Sequence, residues 1–212
     1  MMNDPLVLLV VAGVTSYLAY LWWQDLQKAR QTGKEAPGAL PGARPCPWLA
    51  VAVAVAGALI LLAAETAGEY ALGLHTSQTT LPYLAIIPLL AAGFYEEIIF
   101  RGYLIVTRRG RLMLWGSAIL FSLLFAVIHD HIWSFTLPED TAWYAFWQGE
   151  WTWHFTTKAW FSTAFLFFNS LWFYTVRFFA LNPLHSLIPC IAAHVASNLG
   201  VYLIKGAQGF LE

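Results

Sequence analysis

The stretch LPYLAIIPLLAAGFYEEIIFRGYL, Leu81–Leu104, sets the class of fold. It is apolar and long enough to cross a bilayer as a helix, which takes about 20 residues. Yet it carries Glu96, Glu97 and Arg101. An ionised carboxylate at the bilayer centre costs roughly 2.5–3.5 kcal/mol even on the gentlest insertion scales, so such residues are rare and usually functional. Residues four apart share a helix face, so Glu97 and Arg101 are expected to pair. Glu96 is turned by about 100° from Glu97 and about 140° from Arg101, which leaves it free for chemistry.

Composition extends this reading to the whole chain. Of 212 residues, 59% are hydrophobic and 11% charged, against about 25% charged in soluble domains. The expectation is an all-α, polytopic membrane helix bundle. Apolar runs at about 5–23, 47–64, 81–106, 112–129, 158–180 and 184–204 predict six spans. The first lacks a basic flank and a small-residue cleavage site, which predicts a retained helix rather than a signal peptide. A formal net charge of −1 argues against nucleic acid as a partner. Cys46 and Cys190 are too few for a disulfide framework.

Nine of the eleven Lys and Arg residues fall in 24–46, 101–111 and at Arg177, leaving Lys158 and Lys205 on the other side. By the positive-inside rule the basic side is cytoplasmic and both termini lie outside. Prolines and glycines crowd 33–47 and predict an irregular cytoplasmic linker. The expected organisation is two N-terminal spans over 1–80 with a cytoplasmic linker at 24–46, a membrane core over 81–204 and a short tail over 205–212. Within the core, the outer segment 130–157 is rich in tryptophan. Trp143, Trp147 and Trp151 recur at i, i+4, i+8 and predict a short interfacial helix capped by Asp140 or Thr141. A lid or docking element over a buried site is the sharper reading of the same segment.

Two further pairs lie on later apolar runs: Phe125 with His129, and His194 with Asn198, each at i, i+4. Counted at 1.5 Å per residue from the basic edge, Glu96, His194 and His129 lie at about 18, 15 and 25 Å. Helix tilt absorbs much of that spread. Three helices therefore bring polar side chains to similar depths, as a buried site requires.

Taken in order, Glu96-Glu97-x-x-x-Arg101, Phe125-x-x-x-His129 and His194-x-x-x-Asn198 resemble the three motifs of the CPBP family. That family holds the CAAX prenyl endoproteases and bacterial relatives such as bacteriocin-processing proteins, and its proteolytic members are intramembrane glutamic endopeptidases. The resemblance covers about residues 81–204. It implies that Glu96 is the general base that activates water and that His129 holds the water from a second side. It further implies that His194 and Asn198 stabilise the oxyanion and that Glu97, paired to Arg101, supports the third helix. Phe125 belongs to the second motif as a supporting residue. No cofactor is implied. The substrate would be a membrane-embedded or membrane-associated protein, and the location a cell membrane, as in the bacterial inner membrane. Segment 130–157 is longer than the family pattern, and six spans are fewer than the prenyl endoproteases have, so the resemblance does not carry over a CAAX substrate.

Other readings share these residues. Glu96, His129 and His194 would make a zinc set of two imidazoles and a carboxylate, although no His-Glu-x-x-His motif is present. A non-catalytic immunity or scaffold protein would keep the fold without turnover. A proton-coupled transporter would need repeat symmetry or broken-helix signals that the chain lacks.

Overall fold

The computed structural model describes residues 4–138, 141–142 and 144–212. Six long helices make the body: α1 (Pro5–Thr32), α2 (Trp48–Ala71), α3 (Ile86–Glu96), α4 (Gly110–Ile128), α5 (Thr157–Phe178) and α6 (Ile188–Ala207). A 3₁₀ turn at Tyr83–Ala85 leads into α3, and a π-helical segment, Glu97–Leu104, continues it, so the three together form one span. The chain is an all-α multi-pass membrane bundle.

Five of these spans are both long and apolar enough to cross a membrane; α5 is long enough, but no stretch of it is apolar enough. The reason lies inside the bundle. Helix α5 buries Ser162, Thr163, Asn169, Ser170 and Arg177 among its neighbours, and polar atoms packed against protein need not be lipid-compatible. It still runs from end to end: Lys158 at its start pairs with Glu69 near the end of α2. At its other end Asn182 gathers the carbonyls of Val176, Arg177 and Ser186.

Loop contacts define the two ends. At one, the linker 33–47 packs on the starts and finishes of other helices. The Leu187 N–H donates to Gly42 O at 3.0 Å, Ser186 Oγ to Arg44 O at 2.5 Å and Trp22 Nε1 to Pro41 O at 3.2 Å. Gly42 is required there, since its φ is +65° and a Cβ would sit 2.6 Å from Leu187 Cγ. At the other end the C-terminal residues return to the start of the α3 span. The Leu81 N–H donates to Phe210 O, and the Glu212 N–H to Leu81 O.

Small residues let the helices approach closely. Ala50, Ala54 and Ala58 of α2 are fully buried, and a Cβ at Gly57 would overlap the Trp172 ring. A Cβ at Gly93 in α3 would lie 2.8 Å from Val195 Cγ2 and 3.1 Å from the Val195 backbone nitrogen in α6. Without a hydrophobic drive between helices in lipid, such contacts supply the packing energy.

The tryptophan-rich segment departs from its predicted helix. Trp147 lies in a 3₁₀ turn, Phe146–Gln148, and Trp151 lies in a strand. Trp143 and Asp140 fall outside the described residues. The segment is an antiparallel hairpin, β1 (Trp133–Thr136) with β2 (Glu150–Trp153), pairing Trp133 with Trp153 and Phe135 with Trp151. Alternation of side chains along a strand puts these four aromatics on one face and Ser134, Thr136, Glu150 and Thr152 on the other. The strand period of two prevails because the aromatic face packs together: the Trp151 ring lies 5.0 Å from both Trp133 and Phe135.

Candidate active site

The π segment begins at Glu97, immediately after Glu96, and wide turns of this kind occur often at functional sites. The two glutamates meet different surroundings. Glu97 is fully buried; its Oε1 accepts from Arg101 Nη1 at 3.0 Å and faces His194 Nδ1 at 2.8 Å. Arg101, equally buried, donates its other terminal nitrogen to Ser170 O at 3.0 Å and Ser170 Oγ at 2.6 Å. Four rings enclose the guanidinium, the nearest being Phe125 at 4.7 Å and Tyr174 at 4.8 Å. Removing one member of a buried pair strands the other, so each residue here holds the rest in place.

Glu96 is not part of that cluster. It lines a cavity of about 640 Å³ together with Phe125, His129, His194 and Asn198. Its Oε2 lies 3.9 Å from His194 Nε2, too long for a hydrogen bond. That oxygen is buried and has no hydrogen-bond partner among the described residues.

Hydrogen bonding fixes the faces of both imidazoles. His129 Nδ1 lies 2.6 Å from Phe125 O. A carbonyl only accepts, so Nδ1 carries the hydrogen and Nε2 is left as an acceptor. His194 Nδ1 donates to Glu97 in the same way, which turns Nε2 toward Glu96. The His194 ring is held flat against Phe173, with centroids 4.8 Å apart, and edge-on to Phe125 at 6.0 Å. Asn198 Nδ2 donates one hydrogen to Leu89 O at 2.8 Å, tying α6 to α3, and keeps a second.

All seven motif residues thus gather at one place, with Glu96, Phe125, His129, His194 and Asn198 on the cavity and Glu97 and Arg101 behind it. Sequence reasoning missed the residues of α5 that complete the set: Ser170 under Arg101, Phe173 under His194, and Tyr174, which donates to Phe100 O at 2.9 Å. Their signal was a run of polar residues in an otherwise apolar helix. Among the described residues, no three or more of His, Cys, Asp and Glu are placed to share one metal ion.

Fold and site together define a class: a polytopic helical membrane protein with a carboxylate–imidazole centre buried at a cavity within the bundle. Residues 78–200 match the model of one family, described as Rce1-like, type II CAAX prenyl endopeptidase Rce1-like. The match spans more than half of the chain and every motif residue, and the chain belongs to this family, with the fold of a CAAX-type intramembrane protease of the CPBP group. No curated protein and no solved structure matches the chain.

Proposed function

We propose that the chain is a glutamic-type intramembrane endopeptidase in which Glu96 is the base. One observation carries this: of two adjacent glutamates, Glu97 is held by Arg101 and His194 away from the cavity, while Glu96 lines it beside two histidines and an asparagine. A structural ion pair alone would have no use for the second carboxylate.

In this reading a water rests between Glu96 and His129 Nε2. Glu96 takes a proton from it as the oxygen adds to the scissile carbonyl carbon. The developing oxyanion accepts from the spare hydrogen of Asn198 Nδ2 and from His194 Nε2. With Nδ1 already donating to Glu97, His194 gives that bond when Nε2 also carries a hydrogen. Collapse breaks the C–N bond, and the amine leaves with the proton from Glu96. Preorganised donors of this kind are often the largest catalytic contribution in acyl transfer.

The substrate is a membrane-associated protein segment, reached from the outer half of a bacterial inner membrane with both termini of the enzyme outside. The cavity supports this: its lining extends past Ser162 and Thr66 to Glu69, Gln78, Lys158 and Lys205, at the helix ends opposite the basic turn Arg108–Arg111. Processing of exported proteins near a C-terminal anchor fits that geometry. The test compares membrane proteomes of strains carrying wild-type or Glu96→Gln protein at equal abundance. Accumulation of uncleaved precursors in the variant supports the reading; identical proteomes would refute it.

A further inference from the structure

The cavity holds a second carboxylate that the proposed chemistry does not use. On α2, Glu69 and Glu65 are one turn apart and both line the cavity. Glu69 is fully engaged: Oε1 pairs with Lys158 Nζ, and Oε2 accepts from Gln78 Nε2 at 2.6 Å. Glu65 makes no hydrogen bond and no ion pair among the described residues. Of the other cations on this side, Lys158 is committed to Glu69, and Lys205 donates to Thr79 O at 2.5 Å. The pattern resembles that of Glu96 and Glu97, one carboxylate held by a cation and its neighbour left facing the cavity. A carboxylate left without a partner on a cavity wall is a ready site for a cationic side chain, the opposite charge that no described residue gives it in a direct pair.

Its height above the reactive centre follows from helix packing. A Cβ at Gly200 would lie 2.4 Å from Leu62 Cδ2, so those two positions of α2 and α6 are level. Glu65 stands three residues beyond Leu62, and His194 six before Gly200, on helices running the same way. At 1.5 Å per residue the separation is about 13 Å. An extended peptide rises about 3.3 Å per residue, so about four residues span that distance.

We propose that Glu65 is a specificity-determining residue that receives a Lys or Arg side chain of the substrate, three to five residues from the bond cut. The proposal rests on the endopeptidase reading above. Here Glu65 replaces part of the water around the cation and supplies the opposite charge.

The test presents a randomised library of membrane-anchored peptides to the full chain in lipid nanodiscs and maps the cleaved bonds by mass spectrometry. Wild-type protein should enrich Lys and Arg about tenfold over Gln in the window three to five residues from the cut, the scale of a close charge pair at a buried site. Glu65→Gln should bring that ratio to about one, and Glu65→Lys should favour Asp and Glu there. Basic enrichment that survives Glu65→Gln, or its absence in wild type, would overturn the proposal. A second readout needs no turnover: peptides retained by the Glu96→Gln chain should show the same enrichment, and those retained by Glu96→Gln/Glu65→Gln should not. A library left uncut by wild type would defeat the endopeptidase reading, whereas cutting without charge preference would defeat only the assignment of Glu65.

Discussion

His194 and Glu97 stand 97 residues apart in the chain and 2.8 Å apart in space, through an oxygen that also accepts from Arg101. This contact couples α6 to the π segment and divides labour between the two glutamates. Glu97 fixes an imidazole and a guanidinium, and Glu96 is left with an unpartnered oxygen on the cavity.

The two glutamates should therefore fail differently when made neutral. Glu96→Gln should fold with a melting temperature in detergent close to wild type, and lose peptide cleavage by roughly 10³-fold, within the range for a general base. Glu97→Gln should lose folding stability by about 3–5 kcal/mol, the cost of stranding a buried charge. Thermal melts beside cleavage assays on both proteins check the split, and equal melting losses in the two would contradict it.

Asn198 should affect turnover more than binding. Asn198→Ala removes the proposed oxyanion donor and should lower kcat by about 10²-fold with little change in KM. Part of the loss is expected to be structural, because the Leu89 O bond goes as well. Asn198→Asp keeps shape but removes the donor hydrogens, so it should be no better than alanine. Steady-state kinetics on the pair resolves this.

Exhaustive chelation should leave activity unchanged. Proteolysis is measured before and after prolonged treatment with 1,10-phenanthroline and EDTA. Loss of activity that returns with added Zn²⁺ would replace the glutamic mechanism with a metal-assisted one.

Gly93 should tolerate no large side chain. Its missing Cβ faces Val195 backbone atoms, which cannot turn aside as a side-chain tip does. Gly93→Leu should force α3 from α6 and cost about 1–3 kcal/mol, as overpacking does. Because Glu96 lies one turn from Gly93 and His194 adjoins Val195, cleavage should fall further than stability does. Gly116, whose Cβ would meet nothing within 4 Å, is the control position for the same substitution.

Access from the outer side is testable by labelling. With Cys46 and Cys190 replaced by serine, a cysteine at position 78 should react with an impermeant maleimide in right-side-out vesicles. One at position 109 should react only in inverted vesicles. The reverse pattern would invert the orientation.

The membrane class and the three motifs were legible in the chain alone. Apolar runs of spanning length are a local property, because lipid demands an internally bonded helix wherever they occur. The pairing of Glu97 with a residue four positions on is also local, since helix geometry brings such residues together. The hairpin shows where that local reading stops. Trp133-Ser-Phe-Thr136 and Glu150-Trp-Thr-Trp153 alternate in strand fashion, yet Trp143, Trp147 and Trp151 also fit a helical period. Cross-strand aromatic packing, a contact between segments, favours the strands.

Long-range contacts settle the rest. That His194 spends Nδ1 on Glu97, that Asn198 is tied to Leu89, and that Ser170 and Phe173 of α5 complete the centre all depend on which helix faces of the bundle meet. The same is true of Glu65 and Glu69, which look alike in the chain until Lys158 and Gln78 engage one and leave the other. A sequence fixes which side chains are available and their spacing along a helix. Which of them is satisfied, and which is left facing the cavity, follows from packing between helices far apart in the chain.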